Sequence, residues 1–96
     1  MILEVATLDV IPGKEAEFEA SFAQARHIIA GMQGCLAHEL QRCVERPSRY
    51  VLLVKWEKLE DHTQGFRQSA GYQEWKALLH HFYDPFPTVE HFSRVC

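Results

Sequence analysis

The sequence predicts an α+β sandwich of order β-α-β-β-α-β, the ferredoxin-like arrangement, with helices on one face of an antiparallel sheet. Three observations carry this. A strand-like opening, Ile2 to Val10, breaks at Pro12-Gly13 and gives way to apolar residues at helical spacing. Two strand-like runs, Cys35 to Cys43 and Arg49 to Trp56, flank a turn at Glu45-Arg46-Pro47-Ser48 and so form a hairpin. A second helical stretch follows, and Asp84-Pro85-Phe86-Pro87 stops it ahead of a short last strand, Thr88 to Phe92.

Each element has its own warrant. Ile2 to Val10 is apolar on both faces apart from Glu4, Thr7 and Asp9. Lys14 to Ala30 sets Phe18, Phe22, Ala25 and Ile29 on one helical stripe, and Gly31 and Gly34 end it. In the hairpin's first strand the alternation puts Leu36, His38, Leu40 and Arg42 on one side, with Cys35, Ala37, Glu39, Gln41 and Cys43 on the other. Arg49 to Trp56 is dense in β-formers and runs almost directly into a short helix, which ends near Gly65 to Gln68. Ser69 is an N-cap for a further helix to about Phe82, with Tyr72, Trp75, Leu79 and Phe82 on one stripe.

Bulk properties bound the function. The 96 residues make one domain, 1–96, whose core is small enough to gain from a partner subunit. Hydrophobic residues at 47% exclude intrinsic disorder. The net charge of −3, with no basic stripe, argues against nucleic acid. The longest apolar run, Tyr50 to Val54, is too short to span a membrane, and the start resembles no signal peptide, so a cytoplasmic protein is expected. Cys35 and Cys43 on one strand would sit ~26 Å apart, beyond disulfide reach, so reduced thiols are expected. Val51 and Leu53 are as apolar as Tyr50, Leu52 and Val54, so both sheet faces need cover. A second copy packed sheet to sheet would supply it, which predicts a homodimer.

His62 is the most telling ionisable group. From Leu59 the positions Leu59, His62 and Phe66 share one helical face, which turns an imidazole toward the sheet. Such a group titrates near neutrality and can move protons. A core histidine bonded to backbone is the alternative. His38, beside Leu36 and Leu40, is a second candidate, or else a dimer-face residue. Trp56, Phe66, Tyr72 and Trp75 are candidates for the walls of a pocket, or for plain core. His80 and His81 are adjacent on a helix and diverge by about 100°, so with His91 they make no chelate and no metal is expected. No glycine-rich phosphate loop suggests a nucleotide or flavin.

Taken in order, the opening strand, Pro12-Gly13-Lys14-Glu15 before Phe18, the strand YVLLVKWE, His62, and Ser69 ahead of Tyr72 resemble the antibiotic biosynthesis monooxygenase family over nearly the whole chain. The resemblance implies a dimeric α+β barrel and cofactor-independent oxidation of a quinol-like or polycyclic aromatic molecule by O₂. Haem-degrading relatives carry Asn, Trp and His where this chain has Thr7, Gly65 or Phe66, and Trp75, so no haem is expected. Of the polyketide-oxidising pattern only Trp56 is kept; its Asn, Tyr and Arg positions hold Leu52, His62 and Lys76. The functional expectation is thus a monooxygenase with His62 as base. The alternative is a non-catalytic dimer that binds a small apolar molecule or serves in stress response.

Overall fold

The computed structural model describes residues 1–96. Four strands, β1 (Ile2–Asp9), β2 (Cys35–Arg42), β3 (Arg49–Trp56) and β4 (Thr88–Phe92), form one sheet in the order β2-β3-β1-β4. All three pairings are antiparallel. Helix α1 (Glu15–Ala30) and helix α2 (Ala70–Leu79) cover one face, as the element order requires. No helix is long and apolar enough to cross a membrane.

The core lies between this face and the helices. Phe18, Phe22, Ala25 and Ile29 of α1 are buried, as the stripe predicts, against Tyr50, Leu52, Val54 and Trp56 of β3. Phe22 meets Trp75 of α2 with ring centroids 5.8 Å apart. Gly71 lets the helices close, since a Cβ there would press on Met32 and Ile28. Ser69 caps α2 by accepting from the Tyr72 N–H at 3.1 Å.

Four sequence expectations need correction. Strand β1 ends at Asp9, and Val10 instead bridges to Tyr83. Helix α2 ends at Leu79, and His80–Phe82 tighten into a 3₁₀ turn that aims the chain at that bridge. The short helix before α2 is π-helical over Asp61–Phe66, with the Arg67 N–H bonded to the His62 carbonyl five residues back. His62 and Phe66 are buried there, but Leu59 lies ahead of the widened turn and is exposed. Strand β2 carries a bulge between Cys35 and Ala37, which resets its alternation. Cys35, opposite Trp56, therefore joins His38 and Leu40 on the helix-covered side, and Leu36 is left exposed.

The other face carries no helix. Its residues are Leu3, Val5 and Thr7 of β1, Val51 and Leu53 of β3, and Phe92 of β4, with Glu39, Gln41, Lys55 and Glu90 around them. Cys35, Cys43 and Cys96 are free thiols.

Candidate functional site

Alternation along the strands builds the floor of the site. Glu4, Ala6 and Leu8 project from β1 toward the helices, and Glu4 is the one ionisable group among them. Register places Glu4 between Val54 of β3 and His91 of β4. The π turn then lowers His62 onto this spot. Its position depends on the corner beneath it: Gly34 adopts φ +84°, and the Asp61 carboxylate beside it accepts the Lys58 N–H at 3.1 Å. A Cβ on Gly34 would overlap that carboxylate.

Four side chains meet here. The Trp56 indole N–H donates to Glu4 Oε1 at 2.9 Å. His62 Nε2 lies 3.4 Å from the same oxygen. His62 Nδ1 and His91 Nε2 are 2.7 Å apart, so one of the two nitrogens donates to the other. The Trp56 and His62 rings stack, 5.3 Å between centroids and 19° from parallel. Glu4 and His62 are the only buried residues that are polar or charged.

Burial drives the electrostatics. It raises the Glu4 carboxyl above the ordinary value, opposed by the Trp56 hydrogen bond and the positive charge of Arg67. It pushes His62 down to about 3, helped by Arg67 and His91. His91 is lowered as well, by burial and then Arg67. The ion-pair distance between Glu4 and His62 would favour a charged imidazole, but desolvation of a ring this deeply sealed outweighs it. An added proton on the pair therefore rests on the carboxyl, with the imidazole neutral.

Glu4 and His62 border a chamber of about 390 Å³, within the range of small-molecule sites. Phe66, Tyr72, Trp75 and Tyr83 wall it, Leu52 and Val89 lie on its floor, and Phe86 and Arg67 are at exposed edges. His80 also lines it, at the end away from the π turn. Glu4 Oε1 is engaged by Trp56, and Oε2 is not among the sealed, unpartnered atoms; that description belongs to His80 Nδ1 alone. Oε2 of Glu4 is thus the carboxylate oxygen left free at this end, with His62 Nε2 beside Oε1.

Of the residues singled out from sequence, the structure brings His62, Phe66, Tyr72 and Trp75 to one chamber. Trp56 is not a wall; it lies behind His62, fully buried. His38 is elsewhere, on the far strand β2, in a groove with Glu19, Phe22, Arg26, Arg42 and Tyr50. His80, His81 and His91 do not converge, and no group of three His, Cys, Asp or Glu side chains is disposed to hold a metal ion. Glu4 carried no expectation from the sequence, and His80 and His91 were weighed there only as metal ligands. A signal existed for the first: a carboxylate on the same side of β1 as Ala6 and Leu8.

The sequence model of the antibiotic biosynthesis monooxygenase family matches residues 1–78. The uncharacterized protein YczJ of Bacillus subtilis is 59% identical over 95 residues, 99% of this chain and 100% of that protein. A crystal structure of a Bordetella bronchiseptica protein classed with the antibiotic biosynthesis monooxygenases is 43% identical, with a TM-score of 0.94 over 99% of this chain and 97% of that one. The fold is shared, at 24% identity and a TM-score of 0.77, with SnoaB, a cofactor-independent oxygenase from Streptomyces nogalater. That match covers 97% of this chain and 91% of SnoaB.

Proposed function

The chain belongs to the antibiotic biosynthesis monooxygenase family, and from that premise we propose that it oxidises a quinol-like or polycyclic aromatic molecule with O₂ and no cofactor. The base is His62 acting together with Glu4. The observation that carries this reading is the meeting of Glu4 and His62 at one end of a chamber otherwise walled mainly by aromatic and aliphatic side chains. SnoaB, which shares the fold, is a cofactor-independent oxygenase.

A dihydroxy-aromatic with an unsubstituted ring carbon fits such a chamber. Phe66, Tyr72 and Trp75 offer faces and edges for stacking. One hydroxyl meets His62 Nε2 and Glu4 Oε2 and gives up its proton to the pair. Arg67 contributes positive potential that favours the resulting anion. The anion passes one electron to O₂, and the substrate radical and superoxide combine at the ring carbon as a peroxide. The pair returns its proton to that peroxide. Loss of water, with cleavage of the O–O and ring C–H bonds, leaves a carbonyl on the ring. One oxygen atom stays in the product and the other leaves as water, so no outside reductant is needed. His91, hydrogen-bonded to His62 and half-buried, connects the pair with the outer edge of the sheet.

The active unit of this proposal is a homodimer. The helix-free face presents Leu3, Val5, Val51, Leu53 and Phe92 together, and a second copy laid sheet to sheet would cover them.

Oxygen uptake with a panel of hydroquinones and dihydroxynaphthalenes tests the function. The wild type consumes O₂ with at least one of them, and Glu4→Gln and His62→Phe slow it by about 10²-fold or more. A folded wild type inert to every compound contradicts oxygenation and leaves a binding protein.

A further inference from the structure

The chamber has a second polar end, which the base does not explain. His80 follows directly on α2, in the 3₁₀ turn, and its ring packs edge-on to Tyr72 at 5.9 Å and to Phe86 at 5.1 Å, with Tyr83 at 5.9 Å. Its Nδ1 is the single side-chain nitrogen or oxygen in the protein that is sealed from solvent and has no hydrogen-bond partner. Nε2 is neither sealed nor bonded, so the ring meets the chamber through Nε2.

This asymmetry fixes the tautomer. A proton on Nδ1 would be a buried N–H with no acceptor, whereas a bare lone pair there costs less. The proton therefore sits on Nε2. Full protonation would put an orphaned N–H on Nδ1, so the ring is also held neutral; burial and the nearby Lys76 charge act in the same direction. The result is a neutral imidazole whose single N–H is offered to the chamber. Such a donor matches an acceptor oxygen and has nothing to offer a plain hydrocarbon.

We propose that His80 is the specificity-determining residue at the far end of the chamber, where its Nε2–H binds a carbonyl oxygen on the aromatic ligand. Resting on the oxygenase reading above, this narrows the substrate class to aromatics that carry a hydroxyl for Glu4 and His62 at one end and a ring carbonyl at the other. A product carbonyl formed at that end would be held by the same group.

The test separates this binding role from turnover, because it uses ligands that cannot be oxygenated through a phenol. 1-Tetralone carries an aryl ketone, and tetralin is the same skeleton without it. Calorimetric titration of the wild type gives tetralone the advantage by about tenfold, the factor that one hydrogen bond near the upper end of the usual range supplies. His80→Phe keeps the aromatic ring, removes the donor and abolishes the preference. His80→Gln places an amide N–H near the Nε2 position and retains part of it. Nitrogen NMR of the wild type shows His80 protonated on Nε2, with that resonance shifting as tetralone is added. An undiminished ketone preference in His80→Phe, or a proton on Nδ1 of the free protein, overturns the proposal; the NMR result stands even if the variants fail to fold. Ketone selectivity in a protein that consumes no O₂ upholds the donor and removes only the oxygenase reading.

Discussion

Glu4 and His91 are direct partners on neighbouring antiparallel strands, and His62 closes over both from the helical layer, 2.7 Å from His91 and 3.4 Å from Glu4. The relationship is set by strand register rather than by loop geometry. A rigid sheet thus fixes two members of the site, and a single π turn supplies the third. Such a turn is common at functional sites because it widens the helix and redirects a side chain.

The depressed imidazole makes stability depend on pH. His62 in the folded state sits at about 3, against about 6.5 when unfolded, so below 6.5 the unfolded chain binds the extra proton. Its contribution is complete above that value and is lost as pH falls toward 3. Glu4 is shifted upward and has the opposite sign, since the folded state holds its proton more tightly. Urea titrations of the wild type at pH 7 and pH 5 give a fall in stability to which His62 contributes about 2 kcal/mol. His62→Phe flattens that fall; an unchanged slope contradicts the assignment.

Trp56→Phe keeps a buried ring against His62 but deletes the donor to Glu4 Oε1. A buried carboxyl deprived of its hydrogen bond costs about 1.5–3 kcal/mol, read from the urea midpoint. The same loss raises the Glu4 titration further, visible in the carbon NMR shift of its carboxyl. An unmoved titration would show that the indole N–H does not govern this group.

Gly34→Ala tests the corner under the π turn. Alanine at φ +84° is strained, and its Cβ displaces the Asp61 carboxylate from the Lys58 N–H. The expected loss is about 1–3 kcal/mol, with displaced His62 ring resonances although residue 34 never touches the chamber. Unshifted His62 resonances would mean that the corner does not position the histidine.

The helix-free face predicts self-association. Leu53 lies in its middle, opposite Val5 on one side and Glu39 on the other. Sedimentation of the wild type at micromolar concentration gives a dimer, and Leu53→Lys gives a folded monomer. A wild type that stays single argues against the barrel.

Much of this was legible in the sequence, for reasons that differ by element. The α1 stripe of Phe18, Phe22, Ala25 and Ile29 and the β3 run were read because each repeats a strong period over many residues, and burial follows it. His62 emerged because a polar residue interrupts an apolar face. In β2 the alternation from Ala37 to Arg42 was read as it stands, and only Cys35 and Leu36 were misplaced, because nothing in Cys35-Leu36-Ala37 announces the bulge. The parts played by Glu4, His91 and His80 were not legible because their significance is relational. Glu4 gains meaning only when Trp56 and His62, more than fifty residues away, converge on it.

The most direct measurement is made without oxygen. Anaerobic mixing of the protein with a dihydroxynaphthalene at neutral pH isolates proton removal from every later step, and the absorbance of the bound phenolate reports it. The wild type forms the anion at a pH well below the compound's own ionisation, and Glu4→Gln and His62→Phe leave it protonated. A ligand that binds the wild type yet stays fully protonated, or ionises equally in the variants, would contradict the assignment of proton removal to Glu4 and His62.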